Sequence, residues 1–332
     1  MIDLHLHLDG SLTQFEIYFL AKEQGVALPA DTPQGLAAYL TAPKDCGSLN
    51  RYLKCFDLPI SVLQTRPAML YAVSSLIYRL HGQGILYAEI RFAPQFHTKN
   101  GLSQEEVLQA ALEGVEKSKK HMSAEMGIGL ILCMMRGEGN EEENLETLRL
   151  AEKYLGQGVC AVDLAGAEGL YPTKNFDGLF QKAREKRVPF TIHAGEADGP
   201  DSIRTALSFG AQRIGHGVRS IEDYSLLLEL AQDSVVLELC PSSNLQTHAV
   251  EDIEHFPVKT FLSMGIPVTI NTDNMTVSDT TVDKEFKLIE SKCGVTAEEK
   301  RRMYINAVNA AFLPPEEKRK LSWRISRRLN LT

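Results

Sequence analysis

A (β/α)8 barrel, the TIM-barrel class, is the fold that this chain of 332 residues predicts. Three observations predict it. Eight short apolar runs alternate with helical patterns along the chain. Most of those runs are continuously apolar, as parallel strands covered on both faces are. No GxGxxG follows the first run, which tells against the alternative of an open, doubly wound sheet.

The first run, IDLHLH at 2–7, reads as a strand. Residues two apart on a strand share a face, so His5 and His7 point one way and Leu4, Leu6 and Leu8 the other. The second strand is expected only at 85–94, after a gap more than twice the ~30 residues of an ordinary βα unit. Helical patterns at 11–26, 32–41, 48–57 and 66–82 fill that gap, so residues 11–84 read as a folded helical insertion. Placed over the carboxyl ends of barrel strands, such an insertion is either a lid or a purely structural cap. Further strands are expected at 128–135, 159–165, 188–194, 213–216, 235–240 and 267–272. Helices are expected between them at 103–122, 141–157, 176–187, 200–210, 222–232 and 257–264. Ser103 and Glu106 form a capping box, and Gly265 closes the 257–264 helix. Beyond residue 283 extra helices run to the chain end, with a break at Pro314–Pro315. No internal repeat or low-complexity segment interrupts the pattern, and residues 1–332 are expected to form a single domain.

Composition excludes several classes of partner. A formal net charge of −8 argues against nucleic acid and anionic membranes, which call for a basic surface. The basic stretch from Lys318 to Arg328 has the spacing of an amphipathic helix with a solvated face. Six cysteines are scattered without a CxxC pair, and Cys133, Cys160 and Cys240 lie in apolar runs. No signal-peptide pattern opens the chain, and no apolar stretch reaches the ~18 residues of a membrane span. A soluble, cytoplasmic protein in a reducing compartment is expected. Composition leaves the oligomeric state open.

Chemistry collects at the strand ends. His5 and His7 close the first strand, His193 the fifth and Asp273 the eighth. In a barrel these ends open on one rim, where such folds keep their active sites. Three imidazoles and a carboxylate suit a borderline metal such as zinc, with one position left for water. Glu196, three residues past His193 in HAGE, is placed to act as an acid if partly desolvated, or merely to start the next helix. His216 lies between two glycines and could bind metal or serve as a base. Two-metal barrels of this type usually bridge their ions with a modified Lys at the end of the fourth strand. Here that strand, CAVDLAGAEG, has none, so one ion is expected.

Other polar residues read less sharply. Glu89 and Arg91, two apart on the second strand, are expected to pair inside the barrel as a structural unit. Asp163 and Gly166 end the fourth strand, where a glycine N–H can face a ligand. Ser243 in CPSSN is expected to brace a site carboxylate through its hydroxyl. His81, His97, His121, His248 and His255 are expected at the surface.

Taken in order and with their separations, HLHLDGS, DLAG, HAGE, GHG, CPSSN and NTDN resemble the adenosine deaminase family of the amidohydrolase superfamily, from the first strand through Asp283. The large insertion after the first strand resembles that family's helical cap. The resemblance implies zinc-dependent hydrolysis of adenosine and 2′-deoxyadenosine to inosine and 2′-deoxyinosine plus ammonia. It implies a single Zn2+ held by His5, His7, His193 and Asp273, with His216 orienting and deprotonating the attacking water. Glu196 would protonate the purine at N1, Gly166 would contact N3 through its backbone, and Asp9 would bind the ribose. One position departs from the family pattern. A second Asp usually follows the metal-binding one and contacts purine N7, and Asn274 stands there instead. An amide donates to N7 at any pH, whereas an Asp must first be protonated.

Three other readings remain at this level. The site could serve another 6-aminopurine, namely adenine, AMP, aminofutalosine or an N6-modified nucleoside. An ester or phosphoester hydrolase could use a similar rim, although the missing bridging Lys and the placing of Glu196 count against it. A non-catalytic zinc or nucleoside binder would be expected to lose the acid or base first, and this chain keeps both Glu196 and His216.

Overall fold

The computed structural model describes residues 1–43, 46–122 and 126–328. Eight parallel strands form its centre: β1 (Ile2–His7), β2 (Tyr87–Phe92), β3 (Gly127–Met135), β4 (Val159–Ala165), β5 (Thr191–Ala194), β6 (Arg213–His216), β7 (Val236–Leu239) and β8 (Val268–Ile270). Strands β1 to β4 pair in sequence order, as do β5 to β8. Single bridges join the two halves. Val162 of β4 pairs with Phe190, and Leu6 of β1 pairs with Asp273 beyond β8. The second seam carries His7 N–H to Asp273 O at 2.7 Å and Asp273 N–H to His5 O at 2.8 Å. The ring is therefore the expected barrel, made of two four-stranded halves.

Several strands are shorter than their apolar runs. Pro189 and Pro267 lie just ahead of β5 and β8, and a proline has no N–H for the ladder. After Phe92 the chain turns into a 3-10 segment at Pro94, which ends β2 early.

Helices clothe the ring. In the cap they are α1 (Gln14–Gln24), α2 (Pro33–Leu40), α3 (Leu49–Tyr52) and α4 (Asp57–Val62), followed by α5 (Arg66–Gly82). Around and after the barrel come α6 (Gln104–His121), α7 (Glu141–Tyr154), α8 (Asp177–Glu185), α9 (Pro200–Ser208), α10 (Tyr224–Gln232), α11 (Pro241–Gln246), α12 (Val258–Ser263), α13 (Val282–Cys293), α14 (Ala297–Ala310) and α15 (Pro315–Arg328). The Ser103–Glu106 capping box starts α6. Helix α15 buries Leu321 and Ile325 and leaves Trp323 exposed, as its amphipathic spacing requires. Any continuation of helix past Arg328 lies outside the described residues.

Helix α5 packs along α6, while α1 to α4 lie near the carboxyl ends of the strands. Hydrogen bonds strap this cap down. Ala42 N–H reaches Val277 O at 2.9 Å, the Tyr52 hydroxyl pairs with Ser278 Oγ at 2.7 Å, and Gln64 Nε2 donates to Phe96 O at 2.8 Å. His97 is not at the surface. Its turn tucks beneath the cap against Phe92, and burial drives its pKa down to about 3.

Glu89 and Arg91 do not pair with each other. Residues two apart on a strand stand ~6.6 Å apart along it, in successive layers of the barrel interior. Each therefore finds a partner across the ring. Glu89 Oε2 takes Arg213 Nη1 at 2.6 Å, and Arg91 bridges Asp163 Oδ2 at 2.9 Å and Glu238 Oε2 at 3.0 Å. All five side chains are buried, and the pairing is what makes their burial tolerable. Phe312 lies over the Arg213 guanidinium, 4.1 Å from it, and its N–H donates to Glu89 at 2.6 Å.

Candidate active site

The strand ends bring the sequence-predicted polar residues to one place. His5 Nε2 and His7 Nε2 each lie 3.4 Å from Asp273 Oδ1, and His7 Nε2 lies 3.2 Å from His193 Nε2. Ligand atoms of His5, His193, His216 and Asp273 all fall within 4.8 Å of one another. Five groups thus surround one point: the four expected ligands and His216.

What holds each ring separates their roles. His5 Nδ1 is 2.8 Å from Glu238 Oε2, and His193 Nδ1 is 2.9 Å from Asp163 Oδ2. A carboxylate at Nδ1 fixes the proton there and leaves Nε2 with a free lone pair, the arrangement found behind metal-bound imidazoles. The Nε2 of His5 is buried without a hydrogen-bond partner, with only Asp273 Oδ1 near it at 3.4 Å, a setting that suits a cation between them. His216 differs. Its Nδ1 faces not a carboxylate but the Asn244 side-chain amide, whose Nδ2 lies 3.0 Å away, so nothing fixes a proton at Nδ1 as happens in His5 and His193.

Local backbone geometry aims these groups. His216 and Asp273 occupy the left-handed region, with φ of 60° and 57°. For residues other than glycine that costs of order 1 kcal/mol or more, and it persists where surrounding structure imposes it. Here the β8–β1 seam bonds on both sides of Asp273 supply the constraint.

Glu196 is buried, with Oε1 unpartnered and Oε2 3.5 Å from His216 Nε2. Burial first, then the nearby Asp273 and Glu168 carboxylates, hold its pKa well above the ordinary range, which favours its protonated form. Burial also depresses the pKa of His216, which is therefore neutral and able to accept a proton. A neutral imidazole beside a carboxyl that favours its protonated form is an arrangement suited to general base and acid work.

Above the cluster lies a cavity of about 550 Å³, lined on its floor by Asp9, Gly166, Glu196, His216 and Asn274, and on the cap side by Tyr52, Phe56 and Ile60. Burial raises Asp9 to about 6. Asn274 lies against Gly10, where an added Cβ would come within 1.9 Å of its Oδ1, so only glycine fits there. Ser243 does not brace a carboxylate: its hydroxyl is buried without a hydrogen-bond partner.

Three buried residues escaped the sequence reading. Glu238, behind His5, interrupts the apolar run VLEL, and that charge in a buried strand was a usable signal. Asn244 sits within the noticed CPSSN motif. Glu168 follows DLAG by two positions, and nothing local marked it.

A family model described as adenosine deaminase matches residues 1–328. An adenosine deaminase of Haemophilus ducreyi is 48% identical over 99% of this chain and 96% of its own length. One of Clostridium botulinum is 39% identical over 96% of this chain and 94% of its own. Among solved structures, an adenine deaminase of Arthrobacter aurescens superposes with a TM-score of 0.89 at 25% identity, covering 99% of this chain and 98% of that one. The N6-methyl-AMP deaminase of Arabidopsis thaliana shares the fold, with a TM-score of 0.85 at 23% identity over 98% and 96% of the two chains.

Proposed function

The chain belongs to the adenosine deaminase family, and on that footing we propose that it hydrolyses adenosine and 2′-deoxyadenosine to the inosine nucleosides and ammonia. One observation carries the reading. A buried carboxyl with a free oxygen, Glu196, its pKa held up by burial, faces the same cavity as a cluster of four histidines and an aspartate.

The donor set fits a divalent metal: hard and borderline ligands, with carboxylates behind two of the imidazoles. His5, His7, His193 and Asp273 would hold a single Zn2+, which when bound makes water acidic enough to attack near neutral pH. His216 is kept as the base, because it is the ring of the cluster with an amide in place of a carboxylate at Nδ1, and burial keeps it neutral.

The residues then divide the work. His216 Nε2 accepts a proton from the water that adds to purine C6. Glu196 gives its proton to N1, so no negative charge accumulates on the ring. The amino group takes the proton held by His216 and departs from the tetrahedral carbon as ammonia. The C6 hydroxyl returns a proton to Glu196 as the carbonyl forms. The Gly166 N–H meets N3, the Asn274 amide donates to N7, and Asp9 accepts from the ribose hydroxyls. Asp163 acts behind His193 by fixing its proton at Nδ1. The six cysteines are all unpaired, which supports a reducing, cytoplasmic setting.

Charge at the cavity favours a nucleoside over a nucleotide. Arg136 is already engaged by Tyr171 O, Thr173 Oγ1 and His193 O. That leaves Lys99 as the other lining cation, with Asp57 on the same wall, which is a poor setting for a phosphate. Steady-state kcat/KM for adenosine, deoxyadenosine, adenine, AMP and aminofutalosine tests the proposal. The two nucleosides should lead. A preference above about a hundredfold for adenine or AMP, some 2.7 kcal/mol at the transition state, would overturn the substrate assignment.

A further inference from the structure

Glu168 lies in the loop after β4, outside the cavity lining, and its carboxylate is buried. It meets a row of donors from the next strand's loop. Oε1 accepts from Gly195 N–H at 2.7 Å and from the Ser202 hydroxyl at 2.6 Å. Oε2 accepts from Glu196 N–H at 3.0 Å, Ala197 N–H at 2.7 Å and Asp198 N–H at 3.0 Å. Four successive backbone N–H groups converging on one point form a nest, a concavity that ordinarily captures an anion. Here the chain supplies the anion itself.

We infer that Glu168 is a positioning residue for the catalytic acid: by filling this nest it fixes the 195–198 turn and so aims the Glu196 carboxyl into the cavity. Gly195, with φ of 70°, lets the chain bend so that the four N–H groups can face inward. Without an acceptor those buried donors would be orphaned, and the turn would rearrange to find others. The far side of the nest is anchored as well. Ser202 Oγ pairs with Thr173 Oγ1 at 2.7 Å, and Thr173 Oγ1 accepts from Arg136 Nη2 at 2.9 Å. Arg136 also holds His193 O at 2.6 Å. The loop carrying the acid and the strand end carrying a proposed ligand thus share one scaffold, but Glu168 touches only the former.

This rests on the reading of Glu196 as the acid, and the test separates the two. Glu168→Gln keeps the shape but replaces one acceptor oxygen by an amide N–H2 set against N–H donors, so the nest loses one of its two acceptors and the charge. Misplacing a catalytic group by an ångström costs about a hundredfold, so kcat for adenosine should fall by that much, with KM and bound zinc unchanged. In the Glu196→Gln background the same substitution should cost little more, because it acts through Glu196. Full, multiplicative loss in that background, or lost zinc or a raised KM with kcat kept, would overturn the inference. Activity retained in Glu196→Gln alone would overturn the acid assignment, and the inference with it. Should Glu168→Gln fail to fold, Ser202→Ala removes one bond to the same carboxylate. A fall in kcat of about threefold at constant KM supports the inference, and an unchanged kcat refutes it.

Discussion

Asn274 faces the cavity, and replacing its amide by a carboxyl changes when it can donate a hydrogen bond. The amide donates at every pH, while Asp would donate only when protonated, next to the Asp273 carboxylate. Asn274→Asp should therefore give the same product with KM rising about tenfold between pH 6 and pH 8, the size expected for one lost donor. Binding that is unchanged or tighter at pH 8 would sink the assignment of this amide to N7. The residue scale also shows what the sequence could reveal. His5, His7, His193 and Asp273 stood out because charge or imidazole at the end of an apolar strand is rarely there for packing. Glu168 did not, because its meaning lies wholly in a partner distant along the chain, the 195–198 turn. Glu238 was marked by its charge within VLEL, but its role is set by the distant His5.

At the level of elements, α13 carries a carboxyl with an unusual titration. Glu285 is buried against the start of α11, where Oε2 accepts from Ser242 N–H at 3.1 Å and Oε1 has no partner. Burial raises its pKa from 4.5 to about 7. The folded protein therefore holds this proton more tightly than the unfolded chain does. The resulting stability is fully present below about pH 4.5 and is lost as pH rises through 7, a change of about 3 kcal/mol. Glu285→Gln should raise Tm relative to the parent at pH 8 and give no gain at pH 5, as read by calorimetry. Equal Tm differences at both values would exclude the linkage. Elements were legible where periodicity is strong: all eight strands and the flanking helices appear near their expected positions. Strand ends were not, since prolines and seam geometry trim what hydrophobicity alone extends. The pairing of Glu89 with Arg213 in place of Arg91 follows from barrel stagger, which no single segment encodes.

For the whole molecule, the seams matter most. Each half-barrel is laddered internally, yet the halves meet through single bridges at Val162–Phe190 and Leu6–Asp273. The proposed ligands flank these joints, with His5, His7 and Asp273 at one and His193 just past the other. Chelation should lower Tm by roughly 6 °C, since free metal a thousandfold above Kd adds about 4 kcal/mol. Amide exchange should quicken first at His7 and Val162, whose N–H groups cross the joints. Uniform exchange, or two zinc equivalents per chain, would contradict a single ion spanning the ring.

A chain severed between β4 and β5 would give one fragment with His5 and His7 and another with His193 and Asp273. Neither piece alone could complete a coordination sphere. The proposed ion would then act as a clasp that closes only on correctly mated halves, and its ligands would proofread assembly as well as serve hydrolysis.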